Sequence, residues 1–339
     1  MIAMCLRCLA MLVWILALPA SANQTITFKI ATIAPDGTTW MLEMRSGAEE
    51  IARRTDGRVK FRFYPGGVMG NDKSVLRKLR IGQLQGGAIT GGGLALIDPN
   101  TLIYSLPFTF RSESEVDYAR ARMDPVLIES LEDAGFFTLG FVEGGFAYLM
   151  SSAPLHGMED LRGRKVWIPE GDRISRAVFE DMNVSPIPLP LPDVLTGLQT
   201  GLIDTVGASA IGAIALQWHT RIKYVTDTPL LYLYGALLID RRAFSKLDAK
   251  DQLVVREVMS EIATRLKRQT REDDRNARQA LKNQGITFVT PSRDAVMRLH
   301  RSVARTADRL AEDGVVPLQL LEELRAHLND YRRTAGATP

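Results

Sequence analysis

From Gln24 onward the sequence alternates strand-like and helix-like segments, and this alternation restricts the fold more than any other feature. Gln24 to Ile33 carries β-branched residues at alternate positions, and Trp40 to Arg54 repeats apolar residues at helical spacing. Val59 to Phe63 is a second predicted strand, and Asp72 to Ile81 a second predicted helix. The pattern predicts an α/β protein with a mainly parallel sheet.

The same alternation continues to the end of the chain. Strands are predicted at Gly86 to Thr90, Phe136 to Phe141, Phe146 to Ser151, Lys165 to Ile168, Asp204 to Gly207, Leu230 to Asp240 and Ile286 to Val289. Helices are predicted at Ser175 to Met182, Leu195 to Thr200, Ala249 to Asn283, Arg293 to Asp313 and Leu318 to Tyr331. With 339 residues, the chain is long enough for two lobes that each bury a core.

The N-terminus has the pattern of a secretory signal peptide. Arg7 precedes the apolar run 9–18, and Ala20-Ser-Ala22 follows as a cleavage site. The run is shorter than the roughly 20 apolar residues that a membrane anchor needs. Residues 1–22 are therefore predicted to be removed on export, which leaves a soluble mature protein. Cleavage also removes Cys5 and Cys8, so the mature chain is expected to have no disulfide and no thiolate chemistry.

The charge balance argues against nucleic acid and membrane-surface partners. Lys and Arg total 42, Asp and Glu total 39, and no polybasic run is present. Hydrophobic residues make up 46% of the chain, which is typical of a globular protein and rules out a disordered one.

The sequence gives no positive case for catalysis, a metal or a cofactor. The glycine cluster before Lys73 is not a P-loop, because two residues separate its last glycine from the lysine. None of the four histidines has a second His or Cys at ligand spacing, and no G-x-S-x-G motif is present. The acidic run Glu272-Asp273-Asp274 is interpreted as a solvated helix face.

The segment from Asp160 to Asp172 is more informative. Val166 and Ile168 share one face of a predicted strand and should pack into a core, so Trp167 points the other way. Trp167 comes at the carboxyl end of its strand, where open α/β sheets bind ligands. The alternative is a tryptophan packed beneath a helix, which is the commoner fate of a lone Trp.

At this segment the chain resembles the DctP-like periplasmic substrate-binding proteins of tripartite ATP-independent periplasmic (TRAP) transporters. The resemblance covers about residues 26 to 330. It rests on motifs that occur in order along the chain: the strand-turn-helix from Phe28 to Trp40, Thr55 to Arg58, Tyr64 to Gly67 with Met69-Gly70, Leu79 to Gln83, Leu106 to Phe108, Asp160 to Gly163 with Lys165 and Pro169, and Leu198 to Gly201 with Asp204.

The resemblance implies a two-lobed α/β fold, type II-like, with a cleft between the lobes. Lobe I is expected at 23–144 plus 234–273, and lobe II at 145–233 plus 274–330. The helix predicted at 249–283 would span both lobes. Residues 331–339 are expected to be a frayed tail.

The resemblance also implies a site that binds small organic acids, yet this chain departs from the family pattern. The family arginine that forks a carboxylate corresponds to Trp167, and other family polar positions correspond to Ala147, Ala208 and Thr90. The expected substrate-binding residues are Trp40, Thr90 and Gly91 in lobe I, and Phe146, Ala147, Tyr148, Trp167, Glu170, Ala208 and Ser209 in lobe II. Without a guanidinium the ligand is expected to be neutral, aromatic or cationic. The alternative is an organic acid held by a displaced arginine such as Arg173.

The predicted function is capture of a small molecule by lobe closure, without turnover, and delivery to the membrane subunits of a TRAP permease. The mature protein is expected to be a monomer. Two other classes stay open: a periplasmic sensor module that acts on a signalling protein, and a periplasmic enzyme on a binding-protein fold.

Overall fold

The computed structural model describes residues 25–335, so the predicted signal peptide lies outside the described residues. Most of the described strands follow the predicted alternation, and two additional three-residue strands lie at Ile187–Leu189 and Tyr224–Thr226. The strands are β1 (Ile26–Ala31), β2 (Val59–Tyr64), β3 (Gly86–Thr90), β4 (Phe136–Ser151), β5 (Trp167–Pro169), β6 (Ile187–Leu189), β7 (Thr205–Ala208), β8 (Tyr224–Thr226), β9 (Leu231–Asp240) and β10 (Thr287–Val289).

The helices begin where Ser, Thr, Asn or Asp side chains cap the first free backbone N–H groups. Thr38, Asn71 and Ser112, for example, each accept a hydrogen bond from the backbone N–H three residues on. The helices are α1 (Thr39–Arg54), α2 (Asp72–Arg80), α3 (Gly91–Leu94), α4 (Glu113–Asp133), α5 (Arg173–Asp181), α6 (Val194–Thr200), α7 (Ala210–Ala215), α8 (Arg241–Phe244), α9 (Ala249–Asn283), α10 (Arg293–Glu312) and α11 (Leu318–Ala335).

The central sheet is mixed, and this corrects the expectation of a mainly parallel one. Its order is β10-β8-β4-β9-β3-β1-β2, with β7 also paired to β4. β1 pairs in parallel with β2 and β3, but β9 runs antiparallel to β3 and β4. Strand β4 is continuous where two strands were predicted, and its pairing register shifts between Glu143 and Gly145. β5 and β6 form a separate parallel pair that a bridge from Val166 to Thr205 joins to β7.

The long strands β4 and β9 and the helix α9 connect the two halves of the molecule. The N-terminal half of α9 packs on α1, where a Cβ at Gly47 would lie 2.8 Å from Ile262. The C-terminal part places Ala277 and Leu281 in a different core, around Trp167. The helix therefore spans both halves, as the family resemblance implies, although the residue boundaries of the lobes stay a prediction.

The C-terminal helix α11 packs on α4, which the predicted boundaries place in lobe I, while 318–330 was expected in lobe II. Leu321, Leu324 and Leu328 of α11 are buried in the same core as Leu127 of α4. The helix continues to Ala335, so residues 331–335 of the expected frayed tail are helical in this structure. Residues 336–339 of that tail lie outside the described part.

Candidate functional site

The candidate site lies where strand ends of the two lobes face each other. Asn71 at the start of α2 donates its Nδ2 to Oε2 of Glu170, just after β5, at 3.3 Å. A Cβ built on Gly67 would lie 3.5 Å from Cγ of Pro192. These contacts join positions far apart in sequence across the predicted lobe boundary, and they place the carboxyl end of β5 at the junction, as expected for a ligand cleft.

Trp167 leaves β5 on the face opposite Val166 and Ile168, as predicted, but its side chain enters a second core. The side chain is only 6% exposed. Its Nε1 donates to the carbonyl oxygen of Leu189 at 3.0 Å, and its rings stand edge-on to Trp218. In this structure the indole therefore has little surface left to form an aromatic wall for a ligand.

The other predicted lobe II positions are small or engaged with neighbours. Ala147 and Ala208 are 1% and 4% exposed, and their methyl side chains offer a ligand no polar group. Tyr148 pairs with Ala208 in the β4–β7 register, and its ring lies 4.6 Å from the guanidinium carbon of Arg278. Burial raises the pKa of Tyr148.

Ser209 follows Ala208 and caps α7 by accepting a hydrogen bond from the N–H of Gly212. Phe146 packs edge-to-face on Tyr232, with ring centroids 5.8 Å apart. Trp40 packs against the core of β1, β2 and the N-terminal half of α9. The structure thus brings Tyr148, Ala208 and Ser209 together, and the described contacts do not join Trp40 to them.

In lobe I the structure reveals an acidic residue that the sequence analysis missed. Asp72, the first residue of α2, accepts a hydrogen bond from the hydroxyl of Thr90, at the end of β3. Burial raises the pKa of Asp72 to about 6, and hydrogen bonds from Thr90 work against that rise. The side chain of Asp72 from α2 thus lies beside the Thr90 position of the expected site. The sequence signal for Asp72 is the helix-capping pair Asn71-Asp72, which falls in the glycine-rich segment that has some features of a phosphate loop.

The glycine run 91–93 leaves the space that Asp72 and Tyr234 occupy. A Cβ at Gly93 would lie 2.6 Å from the Asp72 side chain, and one at Gly91 would lie 2.6 Å from the Tyr234 ring. Gly91 and Gly93 are therefore required by close packing against these two side chains. The backbone and Asp72 thus form this end of lobe I.

The lobe junction carries carboxylates that have no salt bridge within residues 25–335: Asp72, Glu170 and Asp172. Asp172 caps α5 through the N–H of Ser175. Burial is the main reason why the pKa of Tyr234 is raised, and the charge of Asp172 adds to that rise. Arg173 is exposed at the first position of α5.

Two further searches covered the described residues only. Within 25–335, no group of three or more His, Cys, Asp or Glu side chains is arranged to hold a metal ion. In the same range, no helix has the length and apolar character that crossing a bilayer requires.

A two-lobed α/β architecture joined by long strands and one long helix is the fold of extracytoplasmic solute receptors. The chain belongs to the DctP family, described as bacterial extracellular solute-binding protein, family 7, whose sequence profile matches residues 30–313. The predicted family and fold class are thereby confirmed. Members are solute-binding proteins of TRAP transporters rather than enzymes, and they act in the periplasm with a membrane permease.

Known proteins agree with this assignment. The C4-dicarboxylate-binding periplasmic protein DctP of Rhodobacter capsulatus is 24% identical over 278 residues, which is 80% of this chain and 82% of that protein. The sugar acid binding protein of Advenella mimigardefordensis in complex with galactonate superposes with a TM-score of 0.84 at 18% identity, over 91% of this chain and 99% of that one. A TRAP solute-binding protein from Desulfovibrio salexigens with orotic acid gives 0.82 at 17% identity, over 90% and 99%. At these identities the structural likeness shows the fold alone.

Proposed function

We propose that this protein captures a small solute that is neutral or positively charged where it meets the lobe junction, and delivers it to a TRAP permease. The mature chain would do so in the periplasm after removal of the signal peptide. A ligand that touches both lobes stabilises the closed arrangement by its contacts with each.

One observation carries the proposal: the lobe junction has carboxylates without ion pairs among residues 25–335, and the family arginine that would bind a ligand carboxylate corresponds to Trp167. The arginine position is Trp167, whose indole is committed to Leu189 and the lobe II core. Asp72 and Glu170 remain at the junction without a salt bridge among the described residues. An anionic ligand would lose its hydration there and meet charges of its own sign, which is costly. A hydroxyl or ammonium group would instead donate to these carboxylates.

A second candidate is an organic acid bound through Arg173, and the relatives favour it. The Rhodobacter relative is named for C4-dicarboxylates, and the similar structures hold galactonate and orotic acid. Arg173 is exposed, begins α5 and lies next to Asp172. A guanidinium at that place is free to turn toward a carboxylate at the junction.

Mass spectrometry of the small molecule that copurifies with the periplasmic protein separates the two candidates without a guess about its class. The first candidate predicts a solute without a carboxylate, whose recovery is the same with Arg173→Ala. The second predicts a carboxylic acid that is lost with Arg173→Ala. Recovery of such an acid would overturn the proposed ligand class while leaving the family assignment intact.

A further inference from the structure

The acidic run Glu272-Asp273-Asp274 does not form the uniformly solvated helix face that its composition suggests. It lies in α9 between the part that packs on α1 and the part that enters the Trp167 core. Glu272 is exposed, whereas Asp273 and Asp274 are partly buried. The run therefore sits where the helix passes from one lobe to the other.

The two consecutive carboxylates bind different lobes. Thr39, the first residue of α1 in lobe I, donates its hydroxyl to Oδ2 of Asp273 at 2.7 Å. Asp274 accepts the backbone N–H of Ile211, in the first turn of α7 in lobe II, at 3.1 Å. Burial raises the pKa of Asp274, and the hydrogen bonds from Ile211 and Ala210 oppose that rise.

Strands β4 and β9, which also connect the two lobes, pass close to Asp274. Gly145 of β4 has φ +79°, and a Cβ built on it would lie 3.6 Å from both Asp274 and Ser209. A Cβ on the neighbouring Gly144 would lie 2.9 Å from Cβ of Leu233 in β9. Because larger residues would be strained or would collide here, glycine permits α9, β4 and β9 to converge at the register shift.

We propose that Asp273 and Asp274 are positioning residues that set the angle between the lobes. Asp273 binds the start of α1 in lobe I, and Asp274 binds the start of α7 in lobe II. Because Ser209 caps α7 and follows Ala208, movement of the candidate site in lobe II is transmitted to the crossing helix through Asp274. The two aspartates are proposed to set the angle between the lobes before a ligand binds, so their role is the same for any class of ligand.

The test is a pulsed dipolar distance measurement between spin labels on the two lobes of the ligand-free protein. Labels go on Val68→Cys in lobe I and Leu202→Cys in lobe II, both exposed, in the mature chain from residue 23, which contains no other cysteine. Asp273→Ala and Asp274→Ala are each expected to broaden the distance distribution or shift it by several ångströms. Glu272→Ala, which removes the same charge one residue away, is expected to match the wild type.

The conservative variant distinguishes positioning from a general loss of stability. An asparagine oxygen can still accept the N–H of Ile211, so Asp274→Asn is expected to restore the wild-type distribution. If Asp274→Ala does not fold, Thr39→Val still tests the proposal, because it removes the hydrogen bond from Thr39 to Asp273 without changing α9. Wild-type distributions in the folded alanine variants and in Thr39→Val would overturn the proposal.

Discussion

Trp167 and Trp218 meet edge-to-face in the core of lobe II, with ring centroids 5.2 Å apart and ring planes at 76°. Trp218 is almost fully buried, and Trp167 also gives its N–H to a backbone carbonyl. The indole of Trp167 is thus held in place by contacts within lobe II.

The first prediction concerns the stability contribution of Trp167. Trp167→Ala should lower the free energy of unfolding by about 3–5 kcal/mol, since it removes a large buried side chain. Trp167→Phe should cost less, about 1–2 kcal/mol, because only the N–H bond and part of the ring contact are lost. Urea denaturation measures both, and a double-mutant cycle with Trp218→Ala should show coupling. Unchanged stability of Trp167→Phe together with loss of the copurified solute would instead assign the indole to the ligand.

The second prediction is a pH dependence that arises from Asp72. Its pKa is about 6 in the folded protein against 3.8 for an ordinary Asp, so the folded state binds the proton more tightly. The free energy of unfolding contributed by this group therefore falls as the pH rises from about 4 to above 6. Asp72→Asn should remove that fall. The free energy of unfolding of the variant minus that of the wild type should therefore rise by about 1–3 kcal/mol between pH 4 and pH 7.5. Urea titrations at the two pH values measure this, with Glu49→Gln, an exposed acid on α1, as the matched control. A stability difference that is the same at both pH values would contradict the assigned shift.

The third prediction is a gain of function at the lobe junction. Glu170→Arg replaces a carboxylate with a guanidinium at the end of β5, where Glu170 now contacts Asn71. Charged hydrogen bonds contribute about 1.5–3 kcal/mol, so the variant should bind a sugar acid such as galacturonate roughly 10- to 100-fold more tightly than the wild type. Isothermal titration measures this change. Glu159→Arg, the same substitution on the turn before β5, should show no gain, and equal affinities of Glu170→Arg and wild type would argue against the junction as the ligand site.

The fourth prediction concerns the ion pairs beside the point where α9 passes from one lobe to the other. Arg271 of α9 contacts Glu143 of β4 at 2.6 Å and Asp117 of α4 at 2.7 Å. The Glu143 side chain is only 3% exposed, and its other cation, Arg120, lies 3.7 Å away. Hydrogen bonds from Arg271 and Lys267 outweigh the effect of burial and lower the pKa of Asp117 to about 2.

Arg271→Ala should therefore cost about 3 kcal/mol in chemical denaturation, because a buried carboxylate loses its main partner. Arg268→Ala, an exposed arginine on the same helix, should change stability by less than about 0.5 kcal/mol. Similar small effects for both variants would show that Arg120 alone satisfies Glu143.

Local patterns predicted the elements whose signals lie within a few residues. The bounds of α9 follow from Asp248 as a cap, a continuous run of good helix formers and Gly285 after its end. The opposite orientations of Val166 and Trp167 follow from the two-residue period of a strand. The strand period does not reveal the second core that Trp167 enters, because its partner in that core, Trp218, lies 51 residues away in sequence.

Elements that depend on tertiary packing escaped prediction. Helix α4 buries Val116, Ala119, Met123 and Leu127 at helical spacing, but Pro125 interrupts the pattern and costs a helix about 3 kcal/mol in isolation. Burial against β4 and α11 overrides that cost. The pairing of Asp72 with Thr90 and the separate partners of Asp273 and Asp274 are likewise contacts between distant segments, which composition alone does not predict.

The central claim is that the lobe junction lacks a carboxylate clamp, and a thermal-shift comparison of matched ligands tests it most directly. Glucuronate is compared with glucose and glucosamine, and galacturonate with galactose and galactosamine, at equal concentrations, since a ligand stabilises in proportion to RT ln(1 + [L]/Kd). The account predicts that the uronate gives the smallest increase in Tm within each set. A concentration-dependent increase that is largest for the uronates would contradict it.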